Sequence, residues 1–104
     1  MSFRVEVSEL ADAQYDKFLA YIYIVLKNPQ AAGNLMQDFD ETIELLEEKA
    51  DCFGYCRSER LRELGFHKIH FKRHRYLLVY RVKKDRVIVE GMYHELQDYE
   101  NAIE

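Results

Sequence analysis

The chain has 104 residues, a third of them charged, and a net charge of −4. That length accommodates one domain, residues 1–104, with a single core. A membrane span is excluded, because no apolar run approaches the roughly 18 residues a bilayer requires.

Phe3, Val5 and Val7 alternate with Arg4, Glu6 and Ser8, the two-residue period of a half-buried strand. Ser8 is a helix-starting residue. From Ala11 the period lengthens: Tyr15, Phe18, Leu19, Ile22, Val25 and Leu26 recur at three and four residues and predict one apolar helix face. Asn28-Pro29 ends that helix, since a residue before proline avoids the helical region. Pro29 is then placed to open a second helix over about Gln30 to Lys49. Its stripe is Ala32, Leu35, Met36, Phe39, Ile43, Leu46 and Ala50. Its other face, with Asp38, Asp40, Glu41, Glu44, Glu47 and Glu48, reads as solvated.

Residues 51–66 read as a loop with a helical turn near Ser58 to Leu64. Three strands follow: His67 to Lys72, Arg75 to Lys83, and Arg86 to Tyr93. The middle one is apolar on both faces, as a central strand is. Lys84-Asp85 connects the last two as a hairpin. A polar tail closes the chain, helical over Asp98 to Ile103. The predicted fold is therefore α+β, in the order β-α-α-β-β-β. It is a mainly antiparallel sheet with a helical hairpin on one face and the other face more open.

The charge is unevenly placed. Residues 1–56 carry four basic and eleven acidic side chains, residues 57–86 carry eleven basic and three acidic, and residues 87–104 carry five acidic and none basic. The basic block contains Lys68, His70, Lys72, Arg73, His74 and Arg75 in or beside one strand. Lys68, His70 and Lys72 alternate, which predicts a shared face, with Ile69 and Phe71 turned to the core. Tyr93 and His94, at the end of the last strand, are expected to reach the same open face.

The N-terminus has no basic stretch followed by an apolar one, so no secretory signal is read and a cytoplasmic location is expected. Cys52 and Cys56 are then expected as reduced thiols. A zinc site made by these two with His67 and His70 is the sharper alternative. Its Cys-x3-Cys and His-x2-His spacing is permissible but undistinctive, and no metal or other cofactor is assigned.

Several segments, in this order and spacing, resemble the RelE/ParE toxin superfamily. Asn28-Pro29-Gln30-Ala31-Ala32 is similar to its inter-helix turn, and Leu61-Arg62-Glu63-Leu64 to the segment before its sheet. Tyr76-Leu77-Leu78-Val79-Tyr80-Arg81-Val82 resembles its most recognisable strand. Val87-Ile88-Val89 through Tyr93-His94, then Gln97-Asp98-Tyr99, resembles its last strand and tail. The resemblance implies the growth-inhibiting toxin of a type II toxin–antitoxin system, with roles such as plasmid stabilisation. It also implies neutralisation by a cognate antitoxin, expected to be acidic and to fold on binding.

The superfamily holds two activities. ParE-like members act on DNA gyrase, and RelE-like members cut messenger RNA on the ribosome without a metal. Such cutting needs cations for the scissile phosphate, a proton acceptor for the 2′-hydroxyl and a proton donor for the leaving oxygen. Lys68, His70, Lys72, Arg73, Arg75, Tyr93 and His94 are the residues that would supply them. Tyr93-His94 is similar to the pair near the end of YoeB-like nucleases. Against this, the arginine that RelE-like nucleases place after the aromatic residue of the central strand is Leu77 here. The basic residue they carry after the last strand falls near the neutral Gln97. Leu77 and the tail are closer to ParE-like sequences, so the expectation favours gyrase. The ribosome with its messenger is the alternative target, and a non-toxic binding module is a third.

Overall fold

A computed structural model describes residues 2–103. The elements in chain order are β1 (Arg4–Val7), α1 (Glu9–Ala20), α2 (Pro29–Lys49), α3 (Glu59–Glu63), β2 (Phe66–His70), β3 (Tyr76–Lys83), β4 (Arg86–His94) and α4 (Tyr99–Ala102). The four strands form one sheet in the order β1-β4-β3-β2. β2, β3 and β4 are antiparallel neighbours, as expected, but β1 runs parallel to β4. The last strand therefore lies inside the sheet, between the first strand and β3.

Capping explains where the helices begin. The Ser8 hydroxyl accepts the Ala11 N–H at 3.1 Å and opens α1. Asn28 Oδ1 accepts the Ala31 N–H at 3.0 Å, and Pro29 fills the first helical position, where a missing N–H costs nothing. Gly65, at φ 85°, takes the left-handed conformation that ends α3, and its N–H donates to Arg62 O at 3.0 Å.

α1 and α2 form a hairpin against one face of the sheet. Tyr15 stacks on Phe39 across the hairpin at 4.0 Å between centroids, and Phe18 reaches Tyr76 of β3 at 4.7 Å. Beneath them Leu35, Leu46, Ile69, Leu78, Tyr80, Val87, Val89 and Met92 make the main core. Tyr80 is fully buried because its hydroxyl has a partner, donating to Ala50 O at 2.7 Å.

The opposite face is less open than its sequence suggests. Leu61 of α3 packs there with Cys56, Phe66, Leu77, Val79 and Tyr93, and Tyr99 and Ile103 of the tail lie against them. A bulge between Val79 and Tyr80 makes this second core possible. Tyr80 pairs with Val89 but Val79 pairs with Gly91, so Glu90 is the extra residue. The slip reverses the facing of the rest of β4. Val87, Val89 and Met92 face the hairpin, while Tyr93 turns to the tail.

Candidate functional site

The basic block does not form one cluster. β2 ends at His70, and residues 72–75 turn sharply before β3 begins. The turn divides the cations between the two sides of the sheet, so Lys72 does not share the face of Lys68 and His70. The strand predicted to run to Lys72 is two residues shorter than that, and the alternation stops with it.

On the tail side, His70, Leu77 and Tyr93 lie in register across β2, β3 and β4. Leu77 is fully buried, and the buried Tyr93 stacks on Tyr99 at 5.9 Å. Beside them Lys68 Nζ donates to the Tyr99 hydroxyl at 3.2 Å and stands 3.9 Å from Glu100. The Glu100 carboxylate accepts the backbone N–H groups of Arg57 at 3.0 Å and Ser58 at 2.6 Å. His70 Nδ1 is 3.3 Å from Glu95, which is also 3.7 Å from Arg75. The acidic tail thus supplies a carboxylate to Lys68, His70 and Arg75. A cavity of about 400 Å³ remains between Lys68, His70, Glu95 and Glu100.

On the hairpin side the key residue is Asp38, which the sequence placed on a solvated face. It is fully buried. Its Oδ2 accepts the Arg73 backbone N–H at 3.0 Å and His74 Nδ1–H at 2.7 Å. The Arg73 guanidinium bonds Glu41 and lies 3.9 Å from Asp38 Oδ1. Among the described residues Asp38 Oδ1 has no hydrogen-bond partner of its own. Lys72 lines a shallow cleft with Glu44 and Glu48. Arg73 and His74 therefore hold the turn onto α2, with Lys72 beside them. The missed signal was the pairing of an acidic helix face with a basic loop of opposite charge.

His94 follows Tyr93 but lies on the other face, with its ring edge-on to Tyr76 at 5.2 Å. Its Nδ1 accepts the Leu96 N–H at 3.1 Å, and its own N–H donates to Gln97 Oε1 at 2.8 Å. It caps the end of β4. Tyr93 and His94 are accordingly not brought together, contrary to expectation. Of the seven expected site residues, Lys68, His70 and Arg75 approach the tail carboxylates and Tyr93 lies beside them in the core.

The thiols belong to different surroundings. Cys52 is exposed and Cys56 buried. Burial pushes the Cys56 thiol up to about 11, with the negative charge of Glu100 adding to the effect, so it is a poor nucleophile at neutral pH. His67 stacks between Tyr55 and Tyr80, at 4.0 and 5.3 Å, and its Nδ1–H donates to Phe53 O at 3.0 Å. His67 and His70 sit on opposite faces of β2, so these histidines do not converge with the cysteines. Among the described residues no three metal-binding side chains are placed to hold an ion.

A mixed four-stranded sheet, backed by a helical hairpin and faced by a short acidic tail, defines the class of small toxin domain the sequence resembled. The family model described as the ParE toxin of type II toxin–antitoxin system, parDE, matches residues 5–99, and the chain belongs to that family. Among solved structures, one described as the chromosomal ParDE TA system from P. aeruginosa is similar with a TM-score of 0.72. It is 22% identical and the match covers 89% of this chain and 96% of that one. The solution structure of the conserved hypothetical protein HP0894 from Helicobacter pylori is similar with a TM-score of 0.51 at 18% identity, over 88% of this chain and 93% of that one. No curated protein sequence matches the chain. Among the described residues no helix is long and apolar enough to cross a membrane.

Proposed function

We propose that this toxin acts in the cytoplasm on DNA gyrase and is neutralised by a cognate acidic antitoxin. The observation that carries this reading is the centre of the tail face. Leu77 is buried where a nuclease of the superfamily would present an arginine, and Lys68, His70 and Arg75 are matched by Glu100 and Glu95. A scissile phosphate would meet paired cations, whose field is largely cancelled at short range. An acidic antitoxin segment, by contrast, can exchange with the tail for the same side chains, and the exposed Arg57 adds to the attraction.

Messenger cleavage on the ribosome is the second reading, supported by the cavity that Lys68 and His70 line. The two readings separate in vitro. Purified toxin is expected to inhibit gyrase supercoiling, with the antitoxin restoring it, and to leave messenger on translating ribosomes intact. Cleavage on ribosomes with gyrase unaffected would overturn the proposal. In that event Lys68→Ala, His70→Ala, Lys72→Ala, Arg73→Ala, Arg75→Ala, Tyr93→Phe and His94→Ala would identify the residues responsible.

A further inference from the structure

The tail crosses the second face of the sheet as a distinct piece of structure. α4 has four residues, too few for a helix to persist alone, so its shape comes from the surface beneath it. That surface grips three side chains. The Tyr99 ring packs on Tyr93, and its hydroxyl accepts from Lys68. Glu100 divides its two oxygens between the N–H groups of Arg57 and Ser58, with Lys68 beside it. Ile103 lies against the apolar cluster of Cys56, Leu61, Phe66, Leu77 and Val79, and its carbonyl accepts from the Arg60 guanidinium at 2.6 Å. Asn101 and Ala102, between them, are exposed. Recognition therefore falls on an aromatic residue, the acid after it, and an apolar residue three positions further on.

The groove extends past the tail at both ends. The cavity of about 400 Å³ lies at the start of α4. A second, of about 320 Å³ and lined by Phe66, Val79, Arg81, Tyr93 and Ile103, lies at its end. A segment longer than the tail would enter both. Residues 95–98, which join the tail to β4, are exposed, and the gripping contacts come from residues 99–103. The covalent link thus supplies local concentration, of the order of millimolar, and not complementarity. Charge states what else fits. Residues 95–103 contain Glu95, Asp98 and Glu100 and no Lys or Arg, while the groove presents Arg57, Arg60 and Lys68.

Given the exchange of tail and partner segment proposed above, on which this rests, we infer that the groove is a docking site for a linear acidic peptide of a partner. The peptide carries an aromatic residue, an acid directly after it and an apolar residue three positions on, and the tail is the built-in occupant. The probe is a synthetic peptide of residues 95–103, titrated by fluorescence anisotropy into the full chain with Glu100→Lys. That substitution sets a second ammonium against Lys68 and lifts the tail. Lifting is read separately, as labelling by a thiol reagent of the buried Cys56 after the exposed Cys52. The variant is expected to label at both thiols and to bind the peptide at least about tenfold tighter than wild type, since no tail competes. Peptides with Glu100→Lys or Tyr99→Ala are expected to bind at least about tenfold more weakly. Should the variant fail to fold, excess peptide added to wild type is expected to shift the amide NMR signals of Arg57, Ser58 and Lys68. Shifts confined to another surface would overturn the inference. So would a folded variant with Cys56 still protected, a lifted variant that ignores the peptide, or binding indifferent to Glu100→Lys in the peptide. The target is tested apart from the groove. A chain that binds the peptide but leaves gyrase active keeps the groove and loses the target; one that inhibits gyrase and ignores the peptide keeps the target and loses the groove.

Discussion

Removing Asp38 should expose how the basic turn is held. Asp38→Ala deletes the acceptor of two hydrogen bonds, one from the Arg73 backbone and one from His74. It also leaves Arg73 with Glu41 as its remaining partner. Asp38 is fully buried, while the side chains of His74 and Arg73 are 25% and 51% exposed. The His74 ring and the Arg73 guanidinium can therefore recover water, but the Arg73 N–H is left poorly satisfied, a penalty of about 1–3 kcal/mol. The hydrogen bond lost to His74 adds about 1–2 kcal/mol, discounted for its exposure. The sum is about 3 kcal/mol, a large part of the roughly 5–15 kcal/mol of a domain this size. At about 4–8 °C per kcal/mol the unfolding midpoint should fall by more than about 10 °C. Asp38→Asn keeps an acceptor for the Arg73 N–H and should lose about half as much. Urea unfolding followed by circular dichroism gives both values. A double-mutant cycle with His74→Ala should then return a coupling above roughly 0.5 kcal/mol. A loss below about 1 kcal/mol in Asp38→Ala would refute the reasoning, because the turn would then be held by something else.

Two further outcomes follow from packing and titration. A Cβ added at Gly91 would lie 2.6 Å from Tyr93 Cε2 and 2.9 Å from its hydroxyl. Gly91→Ala should therefore destabilise by about 1–3 kcal/mol, with part regained in the double variant carrying Tyr93→Leu. A neutral Gly91→Ala in denaturant titration would contradict the packing described. Burial pushes the Cys56 thiol from 9.0 up to about 11, and burial with Asp40, Asp16 and Asp12 nearby pushes the Tyr15 phenol from 10.0 up to about 12. The folded chain holds these protons more tightly than the unfolded one. Their contribution to stability is complete below about pH 9 and is lost as pH rises towards 11 and 12. Urea midpoints measured from pH 7 to 11 should be flat at first and then fall above 9, less steeply in Cys56→Ala; a midpoint unchanged to pH 11 would count against the assignment.

Periodicity carried most of the fold. The alternation around Val5, the stripe through Phe39 and Leu46, and the doubly apolar run Leu77 to Tyr80 marked the elements within a few residues. Ser8 and Asn28-Pro29 marked two helix starts through local chemistry. What was not legible depended on the meeting of distant segments. Nothing near Val5 states that its neighbour is Val87 in parallel, because strand direction follows from the path of the whole chain. The bulge at Glu90 has no signature in Val-Ile-Val-Glu-Gly-Met-Tyr, yet it decides that Tyr93 and His94 serve different cores. The π-turn at Tyr21–Val25 likewise hides in a sequence whose spacing suits a continuing α-helix, and it leaves Val25 and Leu26 exposed. For the candidate site, residue types were legible and company was not. Lys68 and His70 read as unpaired side chains until the tail brought Glu100 and Glu95 to them. Asp38 read as solvated until residues 73 and 74 folded over it.

The interior position of β4 has a consequence for how the molecule is made. Among the described residues β1 has no strand partner other than β4, and Ser8 reaches across 82 positions of sequence to bond Glu90. A nascent chain emerging at roughly 5–20 residues per second holds α1, α2 and β1 without the strand that completes the core beneath them. The main core of Val87, Val89 and Met92 arrives only with the last fifth of the chain. Folding is thus deferred until β4 has been made, and a product truncated before it lacks the strand that joins β1 to β3.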